Sequence, residues 1–208
     1  HAVHLDELVA LAKKYSLVLV EDAAESLGTY YKGKHTGSFG KVNAMSFNGN
    51  KIITTGGGGA ILTDDEALAD YAKHLTTTAK VPHKWEYVHD EIGYNYRMPN
   101  INAALGCAQL ENIEHCIASK RATADAYKAF FEKMDGVEFF AEPENSRSNY
   151  WLNAVILPNK AVQIAFLEYT NDHGVMTRPI WELMNRLPMF EHCQHDGLEN
   201  TIWFADRV

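Results

Sequence analysis

The chain has 208 residues, 46% of them hydrophobic and 22% charged, an ordinary globular balance with room for one large or two modest domains. Its formal net charge of −8 argues against a general nucleic-acid surface, whose affinity rests on Lys and Arg against phosphates, though a small phosphate-bearing ligand needs only a local pocket. The longest aliphatic run, Leu17-Val18-Leu19-Val20, is far short of the roughly 20 residues that span a bilayer.

The three cysteines, Cys107, Cys116 and Cys193, form no C-x-x-C pair; a sparse, odd count suits a reducing cytosol better than a disulfide framework, so the expected location is cytoplasmic. No basic stretch followed by an apolar one marks a signal peptide. The chain opens at His1 without an initiator methionine and closes on Trp203-Phe204-Ala205-Asp206-Arg207-Val208 without a helix stop signal. The expectation is a fragment.

Leu5, Leu8, Val9 and Ala12 keep the i, i+3, i+4, i+7 spacing of an amphipathic helix over about residues 4–15. Leu17 to Val20 then reads as a buried strand of a parallel sheet, running into Glu21-Asp22-Ala23-Ala24-Glu25. Ligands of open α/β sheets bind beyond the carboxyl ends of strands, where Asp22 falls; these acids are equally compatible with an ordinary solvated loop. Tyr30 to His35 reads as a small hairpin turning at Gly33, and Gly37-Ser38-Phe39-Gly40 as a turn. Ala44 to Phe47 and Ala60 to Thr63 read as further strands. Thr63-Asp64-Asp65-Glu66 has the form of a capping box opening a helix through Leu75.

Residues 76–97 lack periodicity but hold His83, Trp85, Tyr87, His89, Tyr94 and Tyr96, which favours a functional loop. Pro99 fits a first helical turn, and Ile101, Ala104, Leu105 and Ala108 start a pattern that continues with breaks to Phe130 and stops near Gly136. Residues 142–149 form a polar connector, Tyr150 to Leu157 a strand, Val162 to His173 a helix stopped by Gly174, and Val175 to Thr177 a short strand leading into Arg178. Residues 1–115 are read as part of one large domain. Residues 116–208 are read as a connecting helix with part of a smaller α/β domain.

The stretch Met45 to Ala60 holds one lysine, Lys51, between an apolar run and the four glycines Gly56 to Gly59. Glycine tolerates φ > 0 and close backbone approach, at an entropic cost that a chain seldom bears without need. A P-loop would place its lysine after the glycines, and a dinucleotide fingerprint would need G-x-G-x-x-G between strand and helix. Neither fits. His192-Cys193-Gln194-His195 has no partner pair at zinc-binding spacing, so no metal is expected. No G-x-S-x-G elbow supports a serine hydrolase.

What remains is a strand-end carboxylate, Asp22, and a lysine, Lys51, beside small and hydroxylated residues. Pyridoxal phosphate needs that pair: a lysine to form the Schiff base and an acid to keep the pyridine nitrogen protonated. The released amine then serves as proton shuttle. Glu21-Asp22-Ala23-Ala24-Glu25, Ser46-Phe47-x-x-x-Lys51, Thr54-Thr55-Gly56-Gly57-Gly58-Gly59, Gly93-Tyr94-Asn95-Tyr96-Arg97-Met98 and Ala103-Ala104-x-Gly106-x-x-Gln109-Leu110 follow in one order. Together they resemble the DegT/StrS family of pyridoxal-phosphate-dependent sugar aminotransferases over most of residues 1–135, and more loosely through Arg178-Pro179-Ile180-Trp181.

The resemblance implies an α/β chain of the fold type I class, mainly parallel sheet flanked by helices, with a smaller C-terminal α/β domain. It implies Lys51 as the Schiff-base lysine, Asp22 on the pyridine nitrogen, Ala24 against the ring, Glu25 beside the ring hydroxyl and Ser46 on the phosphate. Asn95 resembles the asparagine that reaches the phosphate of the neighbouring subunit, which implies a homodimer with shared sites. Arg178 and Trp181 become candidate substrate contacts. Glu25 stands where many members carry Gln or His, and Asn48 where His is common; both resemble a subgroup acting on nucleotide-linked 4-keto sugars of the bacillosamine or legionaminic acid kind. The implied reaction moves an amino group from an amino acid, glutamate by expectation, to such a sugar, with no nucleic-acid or membrane partner. A sugar dehydratase of the same family would carry histidine at position 51. A non-catalytic binding protein on the scaffold would have no need of Lys51 with Asp22.

Overall fold

A computed structural model describes residues 1–208. The chain divides into two units, residues 1–122 with 142–151, and residues 123–141 with 152–208.

In the first unit, α1 (Leu5–Lys14) opens with Asp6 and Glu7 and closes with Lys13 and Lys14, charges that complement the helix dipole. It leads to β1 (Val20–Asp22), the hairpin β2 (Tyr30–Tyr31) and β3 (Lys34–His35), then β4 (Val42–Ser46) and β5 (Gly59–Leu62). The site-bearing sheet has the order β1-β4-β5, with β1 parallel to β4 and β5 antiparallel to it. Along β4 the side chains alternate, so Asn43 and Met45 are buried while Ala44 is exposed. The buried Asn43 amide donates to the carbonyls of Gly40 and Leu62, both at 3.1 Å. Three helices follow: α2 (Glu66–Thr76), α3 (Asn100–Glu111) and α4 (Ile113–Phe131), whose residues from 123 onward belong to the second unit.

The close backbone approach expected of the glycine run is real at Gly59. It pairs with Ser46 across the β4–β5 ladder, and a Cβ there would lie 2.2 Å from the Met45 carbonyl oxygen.

The segment 142–151 belongs to the first unit. Its β7 (Ser146–Arg147) adds antiparallel to β2. Glu142 anchors it to α4: Arg121 donates to both carboxylate oxygens at 2.8 Å, and the Ser148 N–H adds a bond of 2.6 Å. Arg121 also donates to the Ser148 carbonyl at 2.7 Å.

The second unit pairs β6 (Glu138–Phe139) with β8 (Val155–Ile156), followed by α5 (Lys160–Asp172) and α6 (Glu199–Ala205). Asn159 caps α5 by accepting the Val162 N–H at 3.1 Å. The buried Gln163 amide donates to the carbonyls of Val208 and Ala205, at 2.6 and 3.2 Å. No helix of either unit is long and apolar enough to cross a membrane.

Several expected elements differ. The first strand is Val20–Asp22, and Leu17, Val18 and Val20 are 65%, 68% and 62% exposed. Here β1 is an edge strand whose one neighbour is β4. The cap of α2 is Asp65, which accepts the Leu68 N–H at 3.1 Å, while Thr63 bonds the Lys41 carbonyl. The long helix after Pro99 breaks at Asn112 into α3 and α4. Of the strand expected over Tyr150 to Leu157 only Val155–Ile156 pairs, because Tyr150 has φ +46° and its neighbours bond to side chains. Val175 to Thr177 joins no ladder.

Gly59→Ala forces β4 and β5 apart, so urea denaturation loses about 1–3 kcal/mol; an unchanged midpoint would show that the ladder tolerates the methyl. At Glu142, burial raises the carboxyl pKa, but bonds from Arg121 and the Ser148 N–H outweigh it and hold the group below its ordinary 4.5. A depressed carboxylate stabilises fully above the unfolded value and loses its contribution as pH falls through the folded one. Arg121→Met therefore costs about 1–3 kcal/mol at pH 7, and the gap to wild type narrows below pH 4.5. A gap independent of pH would contradict this.

Candidate active site

The register of β1 on β4 runs Val20 with Val42, Glu21 with Asn43 and Asp22 with Ala44. Asp22 and Ser46 therefore both fall at the carboxyl end of a parallel pair, where α/β sheets bind ligands. The neighbouring acids divide by strand alternation. Glu21 is structural: its carboxylate accepts the N–H groups of Gly37, Phe39 and Gly40 at 2.8, 2.5 and 2.7 Å. Asp22 is exposed and accepts the Ala24 N–H at 3.2 Å, which turns the chain into the loop carrying Ala24 and Glu25.

Beyond β4, the chain leaves as a loop closed on itself by Phe47. The Phe47 carbonyl accepts the Thr55 N–H at 3.0 Å and the Thr54 hydroxyl at 3.1 Å, and its own N–H donates to Gly58 at 2.9 Å. Gly56 and Gly58 hold φ of +80° and +96°, so these two turns need glycine. Ser46 Oγ accepts the Asn48 N–H at 3.3 Å at the mouth of the loop, and Asn48 bonds Asn50.

The loop rests on α3, which gives a physical reason for the spacing Ala103-Ala104-x-Gly106-x-x-Gln109. Asn102, Gly106 and Gln109 line one helical face. Asn102 donates to the Thr55 carbonyl at 2.5 Å, Gln109 accepts the Thr54 N–H at 3.2 Å, and Gly106 leaves room for the Thr55 methyl.

Lys51 projects from this loop onto Glu25, with Nζ bonded to Oε1 of that carboxylate. Its other wall is the indole of Trp151, whose centroid lies 4.7 Å from Nζ. The lysine side chain is only 13% exposed, against 45% for Glu25. Glu25 and Lys51 are thus brought into contact, and Asp22, Ala24 and Ser46 stand on the same strand ends and loops.

Asn95 does not join them within the chain. Gly93 to Tyr96 is pinned to the end of α2: Tyr94 N–H donates to Leu75 at 2.7 Å, Tyr96 N–H to Thr76 at 3.0 Å, and Asn95 bridges to Thr77. Asn95 is left exposed. Arg178 and Trp181 lie in the second unit; both are exposed, Trp181 to 77%.

Trp151 and Asn149 were invisible to sequence reasoning. Asn149 Nδ2 donates to the carbonyls of Glu25 and Leu27 at 2.7 and 3.0 Å, and its Oδ1 accepts the Trp151 N–H at 2.9 Å. The Trp151 indole N–H donates to the Asn50 carbonyl at 2.6 Å. No local spacing announces contacts between residues so far apart in the chain.

The model of the DegT/DnrJ/EryC1/StrS aminotransferase family matches residues 1–208. EpsN of Bacillus subtilis (strain 168) is 41% identical over 197 residues, covering 95% of this chain and 50% of that protein. GDP-perosamine synthase of Escherichia coli O157:H7 is 36% identical over 205 residues, covering 98% of this chain and 56% of the synthase. The chain thus spans about half the length of the curated relatives it matches. Among solved structures, Helicobacter pylori PseC, an aminotransferase involved in pseudaminic acid biosynthesis, superposes with a TM-score of 0.90 at 22% identity, over 99% of this chain and 57% of that one. That likeness gives the chain the fold type I architecture expected of it. The chain belongs to the DegT/DnrJ/EryC1/StrS aminotransferase family.

Proposed function

We propose that the protein to which this chain belongs is a pyridoxal-phosphate-dependent aminotransferase, moving an amino group from an amino acid, glutamate by the family resemblance, onto a nucleotide-linked 4-keto-6-deoxy sugar. The observation that carries this reading is the Lys51 amine, sheltered against Glu25 and Trp151 beyond the β1–β4 strand ends that carry Asp22 and Ser46. The name of one relative, GDP-perosamine synthase, supports a nucleotide-linked sugar, and the family's description supports amino transfer.

The residues suit the cofactor. An exposed carboxylate at the end of β1 matches a pyridine nitrogen, and a hydroxyl with loop N–H groups at the end of β4 matches a phosphate. Bound there, pyridoxal phosphate supplies an electron sink for bonds broken at the carbon next to the amine. Asp22 would keep the ring nitrogen protonated, Ala24 would support the ring face, Glu25 would lie beside the ring hydroxyl and Ser46 would bond the phosphate. Lys51 Nζ would anchor the group and would be the amine that moves the α-carbon proton. Glu25 Oε1, bonded to Nζ in this structure, would hold the amine at the site.

Residues 1–115 are part of the larger, cofactor-binding domain and residues 116–208 a connecting helix with part of the smaller domain, although the first compact unit also takes in residues 116–122 and 142–151. Arg178 and Trp181 contact substrate. The enzyme works as a cytoplasmic homodimer in which Asn95 reaches the partner's phosphate. Its exposed position, pinned to the end of α2, supports that reading.

In the intact protein, Lys51→Ala lowers turnover by about 10²–10⁴-fold or more; undiminished turnover would refute the assignment. Mixing Lys51→Ala protein with Asn95→Ala protein tests the shared site. Random subunit exchange in a two-fold dimer restores about a quarter of wild-type activity if Asn95 serves the neighbour, and none if it serves its own chain.

A further inference from the structure

We propose that Trp151 is a positioning residue for the Lys51 amine, with Asn149 fixing the backbone on which both Trp151 and Glu25 depend. The proposal rests on the aminotransferase reading for its purpose, not for its geometry.

A lysine amine rides on a flexible four-carbon stem, and chemistry at one atom requires that freedom to be restricted. Glu25 alone is a weak restraint, since its side chain is 45% exposed and a solvated ion pair is loosely held. The indole face closes the other side. Its centroid is 4.7 Å from Nζ, within the range in which an aromatic quadrupole attracts an ammonium. The ring is itself oriented from the lysine's own loop, because its N–H donates to the carbonyl of Asn50.

Asn149 supplies the complementary half. It is 3% exposed, and its backbone N–H and both side-chain amide atoms are engaged. Its amide joins the carbonyls of Glu25 and Leu27, its own N–H donates to Thr29 Oγ1 at 3.1 Å, and its Oδ1 holds the Trp151 N–H. Two residues thus tie the loop bearing the acid to the loop bearing the amine. Neither lies in the five stretches that carry the family resemblance.

The test reads the amine directly. The intact protein is treated briefly with an N-hydroxysuccinimide acetate, with and without added pyridoxal phosphate. Acetylation of Lys51 is quantified by mass spectrometry relative to the exposed Lys84. Without cofactor, Trp151→Leu acetylates Lys51 about three- to tenfold faster than wild type, while Trp151→Phe, which keeps an aromatic face, stays within about twofold. If Trp151→Leu does not fold by far-UV circular dichroism, Trp151→Met replaces it, with the same expectation. In turnover, the folded aliphatic variant loses kcat with KM for both substrates unchanged.

A folded aliphatic variant labelled at the wild-type rate, a Phe variant indistinguishable from it, or a loss confined to KM overturns the proposal. The cofactor arm separates the two readings. If added pyridoxal phosphate never protects Lys51 in the wild type while the variants acetylate as stated, the aminotransferase reading fails and the positioning role of Trp151 stands.

Discussion

The parallel pairing of β1 with β4 is the constraint on which the site depends. Three residue pairs in register bring Asp22 to the same edge as Ser46, though the two are far apart in sequence. A one-residue slip would turn every side chain of β1 to the opposite face. Glu21 would then lose the three N–H groups of the Gly37–Gly40 turn, and Asp22 would take its place. That buried-side network therefore fixes which acid is structural and which is free to meet a ligand. Gly59 acts from the other side of β4, where its lack of a Cβ allows the close approach that ends the strand at Ser46.

The second constraint is the return of residues 142–151 to the first unit. Arg121 and Glu142 fasten this segment to α4, β7 extends the β2–β3 hairpin, and Asn149 and Trp151 reach the loops of Glu25 and Lys51. Lys51 is consequently enclosed by three parts of the chain: its own loop resting on α3, the loop after β1, and the returning segment. The amine's shelter is thus a product of long-range packing, although the lysine itself sits in a loop whose turns are set locally by Gly56 and Gly58.

Local signals were the ones that sequence reading resolved. The spacing of Leu5, Leu8, Val9 and Ala12 gave α1, Gly33 gave the β2–β3 turn, and Gly174 the stop after α5, because each depends on neighbours within a few residues. The five ordered stretches were also legible, and the structure supplies a reason for one of them in the contacts of Asn102, Gly106 and Gln109 with Thr54 and Thr55. Leu17 to Val20 misled because aliphatic composition indicates an affinity for burial without saying what covers it. Tyr150 to Leu157 misled because its apolar residues suit a strand, whereas Tyr150 takes a left-handed conformation and side chains from Asn149 and Ser148 satisfy the backbone. The polar stretch before it resembles a connector for the same reason: what Asn149 bonds to lies more than 100 residues upstream.

The central claim is that Lys51 is the residue that bonds the cofactor. The most direct measurement is to incubate the intact protein with pyridoxal phosphate, reduce it with borohydride, and map the modified peptide by mass spectrometry. The account predicts a single pyridoxyl modification on Lys51. Modification of a different lysine, or none at saturating cofactor, would contradict it.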